Sequence, residues 1–212
     1  MESRNSSLPN IREQGYELAS KLARQQLASM GVEELCRKAG TQCADSNKII
    51  IEHLNRPYLV ILPDGEISLL DTEEQVPLRD KVLILHYLTL AKGSSATNKL
   101  IIFKQLPGCA SYYAVFDQWA IKPLLDHFGK EPELLIDAGA KLGGHKASYG
   151  DISITINAFP RVPVTIALWR GDDEFAPRGS IMFDSTISDY LPTEDIRNLC
   201  ASITRRLINN LG

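Results

Sequence analysis

Residues 157–196 read NAFPRVPVTIALWRGDDEFAPRGSIMFDSTISDYLPTEDI. Two apolar strand-like runs, a carboxylate triplet, proline and glycine breakers and a helix start follow one another here. Residues 164–169 carry Val164, Ile166 and Leu168 and end in Trp169, and residues 180–183 form a further strand candidate. Just upstream, residues 151–159 alternate, with Ile152, Ile154, Ile156 and Ala158 on one face and Ser153, Thr155 and Asn157 on the other. A half-exposed strand has this period of two, and Pro160 and Pro163 break it. Thr193 is placed to cap a final helix, with Glu194 and Asp195 favourable in its first turn. That helix has the core face Ile196, Leu199, Cys200, Ile203, Leu207 and Leu211.

Working outward, residues 48–53, 58–62 and 66–70 predict a β-meander, with Pro63-Asp64-Gly65 as a strong turn. Residues 11–30 predict an amphipathic helix through Leu18, Ala19, Leu22, Ala23, Leu27 and Met30. A second short helix follows, closed by Gly40. Residues 78–92 predict a helix apolar nearly all round. Tyr112, Tyr113, Phe116 and Trp119 mark an aromatic helix that Pro123 kinks or restarts. Strands that succeed one another through short turns pair antiparallel. The expected fold is therefore α+β: a single domain over residues 10–212, after a disordered lead at residues 1–9. Its mixed, mainly antiparallel sheet carries N-terminal, central and C-terminal helices.

The chain has 212 residues with 44% hydrophobic and 23% charged residues, enough for a substantial core. The net charge of −3 and the absence of any basic stripe argue against nucleic-acid binding. The start, MESRNSSLPNIREQGYE, has no apolar h-region, and no run is long enough to span a membrane. A cytoplasmic location is expected. Cys36, Cys43, Cys109 and Cys200 lack C-x-x-C spacing, which argues against a structural zinc or a self-contained iron–sulfur cluster. Four reduced thiols are the expectation.

Asp172-Asp173-Glu174, flanked by Trp169, Arg170 and Phe175, is the main candidate for chemistry. Clustered carboxylates repel one another and so attract a cation or a basic partner. The plain alternative is a solvated turn. Trp169 and Phe175 are expected to pack beneath this turn, and Arg170 to pair with one of its carboxylates. His145 follows Gly143-Gly144 in an expected exposed loop and suits a ligand. His86, on the most apolar helix, is expected to be a core histidine bonded to a carbonyl. The Gly139–Lys146 segment is not a phosphate loop, because it follows a helix and has His145 where the lysine belongs. Nucleophile motifs of the G-x-S-x-G and S-x-x-K kinds are absent.

Several blocks in order resemble an uncharacterised family, a domain of unknown function found in anaerobic bacteria and archaea. They include Gly15 to Ala19, Ile84 to Leu88, Phe103 to Gly108, Pro123 to Gly129, Ala158 to Phe175, Met182 to Asp184 and Tyr190 to Asp195. Some relatives carry an N-terminal four-cysteine iron–sulfur module, which this chain lacks. Where the family usually reads Glu-Phe-Pro, this chain reads Glu174-Phe175-Ala176-Pro177, one residue longer. The resemblance implies an anaerobic setting and a corrinoid, another tetrapyrrole or a redox cofactor. The leading expectation is therefore a cytosolic ligand- or cofactor-binding protein, with Tyr112, His145, Trp169 and Phe175 lining the cofactor site. Its partners would be a small molecule or a redox protein, with no nucleic acid and no membrane. Two alternatives stand beside it: an enzyme holding a metal on Asp172, Asp173 and Glu174, and an interaction module with an acidic docking turn.

Overall fold

The meander expected between residues 48 and 70 forms, with one strand more than the sequence announces. The computed structural model describes residues 11–211, so the lead at residues 1–9 lies outside it. Helices α1 (Ile11–Ala28) and α2 (Val32–Ala39) precede strands β1 (Gln42–Asp45), β2 (Lys48–His53), β3 (Arg56–Ile61) and β4 (Glu66–Leu69). They form one antiparallel sheet in the order β1-β2-β3-β4. Ile49, Ile51, Tyr58, Val60, Ile67 and Leu69 alternate onto its buried face, which gives the strands their register. β1 is exposed at all four positions, so no apolar alternation betrays it. Gly65, at φ +64°, takes the left-handed conformation that the β3–β4 turn requires.

The remaining strands make a second antiparallel sheet rather than joining the first. They are β5 (Leu100–Ile102), β6 (His145–Lys146), β7 (Ile152–Phe159), β8 (Val162–Trp169) and β9 (Arg178–Asp184), ordered β5-β9-β8-β7-β6. The α+β class holds, with the strands divided into two sheets that a bulge in β7 helps to join. Asn157 pairs with Pro163 and Phe159 with Val162, so Ala158 is one residue too many in β7. Its carbonyl turns out of the ladder and accepts two hydrogen bonds from the first sheet. The Leu54 backbone N–H donates at 3.2 Å and the His53 Nδ1 at 2.8 Å. Leu54 is buried at φ +51°, a conformation that a leucine adopts only when its surroundings enforce it.

Helices cover the joined sheets: α3 (Leu78–Leu90), α4 (Tyr113–Phe116), α5 (Lys122–Phe128), α6 (Leu134–Ala140) and α7 (Thr193–Asn209). A π-helical turn, Asp117–Ile121, links α4 to α5 and accommodates Pro123 without ending the helical run. One continuous apolar core takes in α2, α3, α7, β2, β3, β7 and β8. Through it runs a file of stacked rings: His53 on Phe159 at 4.4 Å, Phe159 on Tyr87 at 4.3 Å, and Tyr87 near Tyr190 at 5.9 Å. Buried Asp80 meets Arg206 Nη2 at 2.7 Å, tying α3 to α7.

Several expectations change. Leu18 and Leu22 are 58% and 55% exposed, because α1 lays only the stripe Ser20, Ala23 and Leu27 against the body. The aromatic stripe divides: Phe116 is buried on Phe103, whereas Trp119 is 50% exposed. Leu211, counted on the last helix's core face, is exposed. Thr193 is the first residue of α7 rather than its cap, and its hydroxyl donates to the Pro107 carbonyl at 2.6 Å. The four cysteines are not all free: Cys36 and Cys43 form a disulfide, and Cys109 and Cys200 remain thiols. Spacing gave no hint of this, since the pair is brought together by the turn between α2 and β1.

Candidate functional site

The acidic turn sits between β8 and β9 and borders a concavity of about 460 Å³, with Gly129 and Lys130 on its far side. Asp172 is spent on the turn itself. Its Oδ1 accepts the backbone N–H groups of Glu174 at 2.9 Å and Phe175 at 2.7 Å. The Asp172 N–H donates to the Phe175 carbonyl at 2.9 Å. The bonds from Glu174 and Phe175 hold the Asp172 carboxyl below its usual range. Asp173 and the Glu174 carboxylate make no hydrogen bond among the described residues. Arg170 does not pair with the triplet; its guanidinium meets Glu133, and its N–H donates to Asp151 Oδ2 at 2.7 Å. Phe175 is 66% exposed and so does not brace the turn from beneath, whereas Trp169 is half-buried at the end of β8. The expected pair of packed rings therefore reduces to one.

The residues expected to line a cofactor site do not gather. His145 is exposed on β6, at one edge of the second sheet, and bonds across to Thr155 only through the backbone ladder. Tyr112 lies on the helical side, 5.7 Å from the guanidinium of Arg197 in α7. Trp169 pairs with Arg178 at the end of the sheet that carries the acidic turn. Among the described residues no three His, Cys, Asp or Glu side chains are grouped to hold a metal ion, and Asp172 to Glu174 are no exception.

A second cavity was not foreseen. It holds about 400 Å³ between the two sheets. Gly40, Thr41 and Gln42 form one wall, Ile50, Glu52 and Pro57 of the β2–β3 hairpin another, and Asn157, Phe159 and Pro160 the third. The sequence positions it through three local events. The α2 helix ends on Gly40 at φ +67°, whose N–H bonds back to the Cys36 carbonyl. Thr41 then anchors the wall, donating from its hydroxyl to the Ile50 carbonyl at 2.5 Å and from its N–H to Cys36 O at 3.0 Å. The Ala158 bulge brings Asn157 and Phe159 to the seam. The side chains of Gln42, Glu52 and Asn157 make no hydrogen bonds among the described residues and so stand uncommitted at the cavity.

Behind the Phe159 floor the protein holds unusual polar groups. His53 is fully buried; its Nδ1 donates to Ala158 O, which leaves Nε2 as an acceptor with no partner. Burial drives its pKa down to about 4, although nearby Asp80 opposes this. Asp80 Oδ1 is likewise buried and makes no hydrogen bond, with only the Arg79 Nε 3.8 Å away, and the Nε of Arg161, whose side chain lies against Gly40 at the cavity wall, is also buried without a hydrogen bond.

His86 also departs from expectation. Its Nδ1 is 2.6 Å from Asp195 Oδ2, and its side chain is 23% exposed while Asp195 is buried. The hydrogen bond to Asp195 raises its pKa against the opposing effect of burial. A carboxylate rather than a carbonyl therefore orients this imidazole.

Fold and cavities together define an α+β protein of two seamed antiparallel sheets. The chain belongs to the family described as a domain of unknown function, DUF3786, whose model matches residues 32–206. No curated protein and no solved structure matches it. Among the described residues no helix is long and apolar enough to cross a membrane.

Proposed function

We propose that this chain is a small-molecule-binding protein whose ligand occupies the cavity between the two sheets. The observation that carries the reading is the set of uncommitted polar side chains around one recess: Glu52 and Asn157 on interior strands, and Gln42 on the edge strand β1 beside the Cys36–Cys43 disulfide. Binding groups gain from the rigid support that interior strands give, and a volume of about 400 Å³ lies within the range of small-molecule sites. With Glu52 as the charged group of the lining, the ligand is a polar molecule rich in hydrogen-bond donors. Ile50, Pro57, Phe159 and Pro160 give it an apolar surface to lie against.

The family resemblance suggests a corrinoid or other tetrapyrrole, handled in the cytoplasm of an anaerobe, with a redox protein as a further partner. Against that ligand class, Tyr112, His145, Trp169 and Phe175 lie on separate elements. A thermal-shift screen of polar metabolites, cobalamin and haem decides between the classes. At least one polar metabolite should raise Tm, and Asn157→Trp, which fills the cavity, should abolish that shift. Stabilisation by cobalamin or haem that Asn157→Trp leaves intact would overturn the assignment to this cavity. A screen with no hit would overturn the function.

A second reading rests on Phe175, whose ring is exposed beside Asp173 and Glu174. An aromatic flanked by free carboxylates suits docking to a basic partner. Charge reversal at Asp173 and Glu174 that leaves binding to basic proteins unchanged would remove it.

A further inference from the structure

Three of the residues that wall the cavity lie inside the loop that the Cys36–Cys43 disulfide closes. We propose that this cystine is a redox-active site that controls the wall, so that reduction by a dithiol opens the cavity. The proposal rests on the cavity being the binding site, and it extends that reading to regulation.

The two cysteines sit in contrasting settings. Cys36 is buried in the last turn of α2, a helix anchored in the core by Leu35 and Ala39. Cys43 belongs to β1, an edge strand exposed at every position. A soluble dithiol therefore reaches the cystine from the Cys43 side. Its thiolate attacks Cys43 Sγ, the Cys36–Cys43 bond breaks, and Cys36 leaves as a thiolate that takes up a proton. The second thiol of the reductant then displaces Cys43 from the mixed disulfide. Two electrons and two protons pass to the protein as two thiols, and the reductant becomes a cyclic disulfide.

Apart from this bond, β1 is weakly held. It pairs on one side only, through Gln42 with Ile50, Cys43 with Ile49 and Asp45 with Lys48, and its register shifts between Cys43 and Asp45. Thr41 adds its hydroxyl bond to Ile50 and its N–H bond to Cys36. A short, exposed, irregular edge ladder is the kind of segment that opens locally at little cost. Apart from Pro160, which follows β7, the other two walls belong to β2, β3 and β7, which are interior to their sheets. Cutting the tether thus frees one wall and leaves the rest in place. In a reducing compartment a disulfide of this kind is typically transient and redox-sensing rather than structural.

Hydrogen exchange read by mass spectrometry tests this without any ligand. The full chain is compared oxidised, after dithiothreitol, and as the Cys36→Ser/Cys43→Ser double variant. Residues 41–45 should exchange at least about tenfold faster in the reduced protein and in the double variant, while β7 and β8 stay protected. Unchanged exchange at residues 41–45 overturns the proposal, as does a cystine that dithiothreitol fails to reduce under native conditions. Acceleration throughout the chain also overturns it, because the bond is then a general staple. Local loosening in a protein whose cavity binds nothing would defeat the ligand reading and leave the redox device standing.

Discussion

The acidic turn and the inter-sheet cavity are similar in size, yet they are built in opposite ways. The turn is nearly one continuous peptide, and most of its concavity is walled by residues 170–177. Asp172 closes the loop on its own backbone and Arg170 is taken by Glu133 at the start of α6, while Asp173 and Glu174 project without hydrogen bonds. The cavity draws on three separate stretches, around residues 40–42, 50–57 and 157–160. It leaves polar groups uncommitted in front of a buried aromatic floor. Both regions thus keep uncommitted polar groups, but the turn presents them from one local peptide, whereas the cavity gathers them where distant segments meet.

The strongest way to break this contrast is to truncate one ring in each region. Phe159→Ala should cost about 3–5 kcal/mol in urea unfolding, because the ring is stacked between His53 and Tyr87. Phe175→Ala should change stability by less than about 0.5 kcal/mol, since its ring is mostly in solvent. Equal losses at the two positions would mean that the floor is not the packed element described here.

Acidification probes the same floor. The folded-state pKa of His53 is about 4, below the value of 6.5 that it recovers on unfolding. The unfolded chain therefore takes up the proton first as pH falls. The contribution is complete above pH 6.5, declines between pH 6.5 and 4, and is gone below 4; it is on the order of 3 kcal/mol. His53→Phe should flatten that slope in unfolding curves measured across this window. An unaltered slope would place the acid sensitivity elsewhere. Asp184 acts lower in the scale. Burial opposes its ionisation, but bonds from Thr186 and Thr97 outweigh burial and bring it down to about 2.

His86 sharpens the comparison, because it lies outside both regions yet also combines burial with charge. Asp195→Asn should cost about 1.5–3 kcal/mol at pH 6, where the imidazolium bond to Asp195 is present. Since the folded pKa of His86 is raised, that stabilisation is full below 6.5 and is lost as pH rises through the folded value. The His86 ring resonances should titrate above 6.5 in the native protein and lower in Asp195→Asn; identical midpoints would dissolve the pair. The smallest effect is expected at the turn: Asp173→Asn with Glu174→Gln should leave Tm unchanged and stability within about 0.5 kcal/mol. A clear loss would show that these carboxylates are held rather than free.

Much of the fold was legible because it is written locally. The run Ile49-Ile50-Ile51 marks β2, Gly40 closes α2, Pro63-Asp64-Gly65 marks the β3–β4 turn, and Ile196, Leu199, Ile203 and Leu207 repeat at helical spacing. What escaped depends on partners remote in the chain. β1 carries no apolar alternation because all four of its positions are exposed, and only its pairing with β2 reveals it. His86 reads as a plain core histidine until Asp195, 109 residues away, is set beside it. The cystine carries no motif because a helix end and a turn, rather than spacing alone, bring its halves together. Leu18 and Leu22 misled for the converse reason, since helical periodicity shows a face without showing what the face meets.

The bulge at Ala158 bears on how this chain can change over generations. A hairpin ordinarily tolerates a residue gained or lost near its turn. Here, deleting Ala158 would restore an unbroken ladder with Val162 and Pro163, but it would also remove the acceptor shared by His53 and Leu54. Two donors on the other sheet would then be orphaned, one of them on a fully buried ring. The length of β7 is therefore locked by a neighbour that it does not pair with. The turn around Ala176 touches the body through few bonds, so an insertion or deletion there would cost little. Relatives of this chain should vary in length at that turn and keep the spacing from Asn157 to Val162 fixed.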